Sequence, residues 1–326
     1  MLKLKFNSRR IRKLKMVFLN KLNCMAKAVL PVVISAASLF AVFGEAMAEP
    51  IEIQNQIESE TLKRVLETGV VKVGVREGAL PFSDMKNDVA VGFSVDLCRQ
   101  IFKGIEKVTG KNITFKFIPV NSKGRFEALK NNDIDIECGS TTHSVPREST
   151  ASFSRSFFIT GISFSDQSGE STDFYSISGR VVVVLEKSTA AAIVVRQASL
   201  AKSSNREFSV LQVKTNDDGI KEVVKNKNAI FMQDEILMAG SIEKLPVNIK
   251  KPKITKSLYS IEPYALMMRK GDDNFVKAID SQLIPILRSG EAEMIMRKWM
   301  PKSSFNINNL TKDNFMRPSN TPSPNY

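Results

Sequence analysis

Residues 70–108 read VVKVGVREGALPFSDMKNDVAVGFSVDLCRQIFKGIEKV. The opening VVKVGV, Val70 to Val75, is a short β-branched run of the kind buried inside a sheet. From Phe93 to Val108 the residues Val95, Cys98, Ile101, Phe102, Ile105 and Val108 recur at helical spacing. Alternation returns at Thr114 to Ile118 (TFKFI), and a helix over Arg125 to Lys130 and a strand over Ile134 to Cys138 follow. A β-α-β-α-β order implies a mostly parallel sheet with helices on its faces. Ligands bind such sheets at the carboxyl ends of the strands, where the loops gather.

Upstream, ESETLKRVLETG reads as a helix. Downstream, residues 154–164 lack a helical period, and then the same pattern begins again. Gly179-Arg180-VVVVL is a strand, Thr189 to Ala201 a helix, Phe208 to Val213 a strand and Asp218 to Lys225 a helix. A strand over Ala229 to Met232 runs into a helix over Glu235 to Glu243. Tyr264 to Arg269 is one more strand, before helices at Asp273 to Arg288 and Glu291 to Trp299. The reading is an α/β protein of two units, with the chain crossing between them twice.

The 326 residues are 43% apolar and 25% charged, the profile of a globular chain. The net charge of +13 would point to nucleic acid or an anionic surface if it were evenly spread. Residues 1–48 hold nine cations and one acid, which leaves 38 cations, 33 anions and a net +5 for the rest. A general nucleic-acid binder is poorly supported by that distribution. One histidine and three cysteines, without CxxC or HxxxH, are too few soft ligands for a zinc or iron-sulfur centre. The stretch Ala26 to Ala48 (AKAVLPVVISAASLFAVFGEAMA) follows a cationic run and ends in Ala46-Met47-Ala48, the pattern of a secretory signal peptide cleaved after Ala48. The expectation is a soluble, exported, monomeric mature protein, localised to the periplasm. Cys98 and Cys138 remain in it, where a disulfide is allowed but not required.

Five segments then carry a family likeness: GVREGALPFS (74–83), NSKGR (121–125), ECGSTTHSVPR (137–147), FMQDEILMAG (231–240) and GEAEMIMRKW (290–299). Together they resemble the periplasmic glutamate/aspartate-binding proteins of ABC transporters, within the family-3 solute-binding proteins, from about residue 57 to about residue 315. The resemblance implies the type II periplasmic-binding-protein fold, with two lobes, two crossing hinge strands and a cleft between the lobes. The first lobe would take residues 49–159 and 262–303, the second 160–261, and residues 304–326 would be a tail with little core of its own. No cofactor, no metal and no catalysis are implied. The partners would be a small amino acid and an inner-membrane ABC permease.

An α-amino acid offers a carboxylate, an ammonium and a side chain. For the α-carboxylate the resemblance points to Ser140, Thr142 and Arg147, whose planar guanidinium matches a carboxylate bidentately. For the ammonium it points to Asp234, which also reads as a helix cap. Ser188 and Thr189 match a hydroxyl contact on the ligand's distal side and equally suit a cap. Arg76, Ser122 and Arg125 match residues around the side-chain carboxylate. Guanidinium groups in one small pocket are costly to desolvate without an anion, which favours a dicarboxylic ligand.

The sequence departs from the family at Asp218, where acidic-amino-acid binders carry a histidine. An ionised aspartate facing the pocket only accepts hydrogen bonds and would suit an amide, glutamine or asparagine. Pairing with Arg125, or an outward turn as cap of a helix beginning at Gly219, are the other readings of Asp218. Asp218 is also the one unexplained general-acid candidate for a dehydratase-like enzyme on the same fold. His143 reads as an exposed loop residue. Trp299, Phe153, Phe157 and Phe158 read as lobe core and hinge packing, and Phe82 as a lining of the cleft mouth.

Overall fold

The computed structural model describes residues 59–171, 173–203, 206–300 and 308–324, so the leader expected over 1–48 lies outside the described residues. The first sheet is built around β1 (Val70–Arg76), whose Val71, Val73 and Val75 are fully buried. Helix α1 (Glu60–Thr68) leads into it. Ser59 caps α1 by accepting from the Leu62 N–H, and Gly69, at φ 66°, ends it in the left-handed conformation that glycine adopts without a Cβ clash. A hairpin of β2 (Asp84–Lys86) and β3 (Val89–Val91) follows, then α2 (Phe93–Thr109), β4 (Thr114–Val120), α3 (Arg125–Lys130) and β5 (Ile136–Glu137). Strands β4 and β5 both lie parallel to β1. The buried stripe of α2, Leu97, Cys98, Ile101, Phe102 and Ile105, belongs to the same core cluster as the β1 valines. A disulfide joins Cys98 of this helix to Cys138, just past β5.

Strand β6 (Ala151–Thr160) leaves this sheet and becomes β7 (Ile162–Asp166) of a second one. There β8 (Val181–Leu185), β9 (Ser209–Val213) and β10 (Ala229–Asp234) run parallel, β7 pairs antiparallel with β10, and β11 (Lys253–Ile254) pairs antiparallel with β7, in the order β11-β7-β10-β8-β9. Helices α4 (Thr189–Ser203), α5 (Asn216–Lys225) and α6 (Glu235–Glu243) connect them. Residues 255–261 cross back to β12 (Glu262–Arg269), which pairs antiparallel with β5 and β6 and completes the first order, β4-β1-β5-β12-β6. Each sheet is therefore a parallel core with antiparallel strands contributed by the crossings. At Gly161 the two crossings touch backbone to backbone: a Cβ there would lie 2.6 Å from the Ser260 carbonyl oxygen. Helices α7 (Asp273–Arg288) and α8 (Glu291–Trp299) pack on the first lobe.

Four expectations change. Residues 154–164, read only as lacking a helical period, are the two long crossing strands. The tail is structured: α9 (Asn309–Met316) packs on β6 and buries Phe315. Its polar residues read as loop composition, yet they hydrogen-bond the outer side of β6, with Asn308 Nδ2 donating to the Ile159 carbonyl (2.7 Å) and Asn314 Nδ2 to that of Ser156 (2.6 Å). Phe82 is not at a cleft mouth. It sits fully buried among Phe93, Phe157, Phe158 and Tyr264, all within 6.4 Å between ring centroids. His143 is 2% exposed rather than a surface residue. Its ring stacks on Phe153 at 4.6 Å, its Nε2 lies 2.8 Å from Glu148 Oε1, and burial lowers its pKa against that pairing.

Candidate functional site

Both sheets point the carboxyl ends of their parallel strands toward one small cavity. It is lined by Arg76, Ser122, Arg125, Ser140, Thr142, Arg147, Leu185, Ser188, Thr189, Gln233, Asp234 and Leu237. The cavity volume is only about 20 Å³, room for roughly one water molecule, so the polar side chains close tightly on one another. Nine of the ten residues singled out from the sequence share this lining.

Arg76 ends β1, and its backbone N–H donates to Ser83 Oγ at 2.8 Å. Arg125 opens α3, and Arg147 lies in the 3₁₀ turn Val145–Ser149, where its Nη1 donates to the Thr142 carbonyl at 2.8 Å. Arg76 and Arg125 are 4% and 2% exposed, and Arg147 is partly buried. Burial lowers the pKa of all three. For Arg125 the positive charges of Arg76 and Arg147 push further in the same direction, well below the ordinary guanidinium value. Arg125 Nε and Nη1 have no hydrogen-bond partner among the described residues, nor do Ser122 Oγ and Ser140 Oγ. The arrangement is a cluster of cationic and hydroxyl donors on which the acids Glu137, Asp234 and Glu262 act at a distance, and Arg125 keeps donors that none of them satisfies.

Asp234 ends β10 on the opposite wall. Its Oδ2 accepts from the Tyr264 hydroxyl, and Oδ1 is buried without a partner. Burial, then the nearby Glu262 carboxylate, push its pKa far up, against the pull of Tyr264 and the arginines. A bound cation would restore its charge. The cap reading is not realised in hydrogen bonds: Asp234 precedes α6, but its side chain makes no capping bond. Ser188 does cap α4, accepting from the Ala191 N–H at 3.0 Å, while also lining the cavity.

Asp218 is the residue the structure does not bring to the cavity. Thr215 caps α5 by accepting from the Asp218 N–H, so Asp218 falls inside the first turn rather than at the cap. Its side chain is about half exposed and lies 3.7 Å from Lys221 Nζ. Pairing with Arg125 is likewise not seen.

Several contributors were not read from the sequence. Gln233 lines the cavity and donates to Asn216 Oδ1, and Asn216 Nδ2 donates across to the Gly78 carbonyl of the first lobe at 2.9 Å. Leu185 and Leu237 supply the apolar wall. Glu137, within the quoted ECGSTT, is fully buried and holds both oxygens without a hydrogen bond, close to Arg76. A Cβ on Gly139 would lie 2.0 Å from Glu137 Oε1 and 3.0 Å from Arg76 Cβ, so the glycine makes room for that buried charge. Glu262, at the start of β12, accepts from three hydroxyls: Thr142 (2.6 Å), Thr189 (2.9 Å) and Ser260 (2.6 Å). No metal-ligating group of three or more His, Cys, Asp or Glu occurs among the described residues.

Two α/β lobes, crossed twice by the chain and closing on one polar cavity, define a two-lobed solute-binding protein. Residues 71–302 match the model of bacterial extracellular solute-binding proteins, family 3, and the chain belongs to that family. It is 31% identical over 258 residues to the glutamate/aspartate import solute-binding protein of Escherichia coli K12, covering 76% of this chain and 83% of the relative. It is 27% identical to the L-glutamate/L-aspartate-binding protein of Pseudomonas aeruginosa, again over 76% of this chain and 83% of the relative. Among solved structures, the cysteine-binding protein of Campylobacter jejuni superposes with a TM-score of 0.64 at 18% identity, covering 77% of this chain and 97% of that one. The P235GK mutant of ArgBP from T. maritima gives 0.62 at 20% identity, covering 73% and 98%. At that identity the structural likeness concerns the fold.

Proposed function

We propose that this chain is the extracytoplasmic amino-acid-binding component of an ABC importer and that its ligand is glutamate or aspartate. The observation that carries the reading is the convergence of Arg76, Arg125 and Arg147 on one small cavity, with Arg125 buried and incompletely bonded. A guanidinium cluster of this kind is costly without anions, and a dicarboxylic amino acid supplies two. Arg147, with Ser140, Thr142 and the backbone of its loop, takes the α-carboxylate. Arg76, Ser122 and Arg125 take the side-chain carboxylate, Asp234 the α-ammonium, and Ser188 and Thr189 complete the contacts. The names of the E. coli and P. aeruginosa relatives support the same ligand class. The amide alternative rested on Asp218 facing the ligand, and the dehydratase alternative on Asp218 as acid. With Asp218 outside the cavity, neither has its residue.

Residues 49–159 with 262–303 form one lobe in this reading and 160–261 the other. Residues 1–48 are a signal peptide removed after Ala48, and the mature protein is a periplasmic monomer that delivers its ligand to an inner-membrane permease. Closure around the ligand excludes water and strengthens each charge-assisted bond. Calorimetry of residues 49–326 against glutamate, aspartate, glutamine and asparagine tests the assignment. Preference for the two acids supports it, and preference for the amides, or no binding, contradicts it.

A further inference from the structure

The Glu262 carboxylate is fully buried, at the point where the second crossing enters the first sheet. It receives a hydroxyl from each lobe on the same oxygen: Thr142 Oγ1, in the loop after β5, and Thr189 Oγ1, the first residue of α4, both bond Oε2. Ser260 in the crossing itself bonds Oε1. The loop is registered on β12, with the His143 N–H donating to the Pro263 carbonyl and the Ala265 N–H to that of Thr141, so Thr142 is delivered to Glu262 by backbone pairing.

A threonine hydroxyl has one proton and two acceptor lone pairs. Thr142 and Thr189 both line the cavity, and both give their proton to Glu262. Toward a ligand, then, each offers only an acceptor. With Asp234 lining the same cavity, the hydroxyl pair faces a group that donates, and a carboxylate placed there would meet lone pairs.

We propose that Glu262 is the positioning residue that ties the two lobes through Thr142 and Thr189 and fixes those hydroxyls as acceptors, so that the site demands an ammonium on its ligand. The inference rests on the acidic-amino-acid reading above and reassigns Thr142 within it, from the α-carboxylate to the α-ammonium.

The test compares L-glutamate with glutarate, the same dicarboxylate without the ammonium, by calorimetry on residues 49–326. The wild type favours glutamate. Glu262→Leu frees both hydroxyls to rotate and donate, so the glutamate-to-glutarate preference falls at least about ten-fold. Glu262→Gln keeps a carbonyl oxygen for the two threonines and retains most of the preference. Thr189→Val, which leaves Glu262 in place, weakens glutamate several-fold more than glutarate; it carries the test if Glu262→Leu does not fold. An equal loss for both ligands in Glu262→Leu, or in Thr189→Val, would overturn the assignment of Glu262 and leave the acidic-ligand reading standing. A wild type that binds neither glutamate nor aspartate would overturn that reading, and this inference with it.

Discussion

Arg147 and Arg125 occupy the same cavity but are asked to do different work, and single substitutions separate them. Every amino acid has the α-carboxylate assigned to Arg147, and an unpaired buried carboxylate costs about 3–5 kcal/mol. Arg147→Ala therefore lowers affinity roughly a hundred-fold or more for all ligands. Arg125→Ala and Arg76→Ala weaken glutamate and aspartate more than neutral amino acids in the same titrations; parallel losses in all three variants would contradict the division. A different residue sets a pH dependence of stability. Asp280 accepts the Arg155 backbone N–H at 2.8 Å, yet burial outweighs this bond and raises its pKa to about 6. The native state thus holds this proton more tightly than the unfolded chain, whose value is near 3.8. The group favours folding most below about pH 4, and this contribution is lost as pH rises toward 6, by at most about 3 kcal/mol. Asp280→Asn keeps the acceptor oxygen, so denaturant melts should show stabilisation at pH 7 that vanishes near pH 4; equal stability of the two proteins at pH 7 would contradict this. Residue by residue, the arginines and hydroxyls of the cavity were legible because they sit in motifs. Gln233, inside the quoted FMQDEILMAG, was passed over because a neutral amide stands out less than the adjacent Asp234. Glu262 was not legible, because a lone acid beside a strand carries no local signal and its role comes from residues far away in sequence, such as Thr142, 120 positions off.

At the level of elements, strong periodicity was read well. The helices Arg125–Lys130, Glu235–Glu243, Asp273–Arg288 and Glu291–Trp299 coincide with their expected bounds. Two crossing strands were expected, but residues 154–164 were not read as strand because β6 and β7 are buried almost throughout, which erases the two-residue alternation that marks a half-exposed strand. The tail was misread because its Asn and Ser residues bond a strand edge instead of water. That edge makes a prediction. β6 ends its sheet, and exposed edges invite pairing with other chains. A chain truncated after Met300 should melt at lower temperature and self-associate in sedimentation, while Phe315→Ala, at a site 6% exposed, should cost about 3 kcal/mol. A truncated chain as stable and monomeric as the full one would show that the tail is dispensable. The disulfide Cys98–Cys138 spans a sequence separation of 40, and closing such a loop restricts the unfolded chain by about 4 kcal/mol in the chain-entropy account. A Cys98→Ser, Cys138→Ser double variant should lose roughly 2–4 kcal/mol in denaturant melts, and an unchanged midpoint would contradict that.

Over the whole molecule, the two lobes share no single sheet, and their facing ends are held by polar bonds together with Ile236 and Leu237 of α6, which pack into the first lobe's core cluster. Asn216 reaches Gly78, Tyr264 of the first sheet reaches Asp234 of the second, and Glu262 gathers a threonine from each lobe. Tight backbone approach adds to this, since a Cβ on Gly240 would lie 2.5 Å from the Leu80 carbonyl oxygen. With only these two apolar residues across it, such an interface closes and opens more readily than a wholly hydrophobic one of similar extent, which suits a protein that must release what it captures. The two-unit pattern was visible in the sequence, but the closure was not, because it depends on contacts between segments 30 to 138 residues apart. The central claim is that this closure is built around two carboxylates and one ammonium. Calorimetry of wild-type residues 49–326 with L-glutamate and L-glutamine tests it most directly. The account predicts one site per chain and glutamate bound at least about ten-fold more tightly, the worth of one charge-assisted bond. Glutamine bound as tightly as glutamate, or tighter, would contradict it.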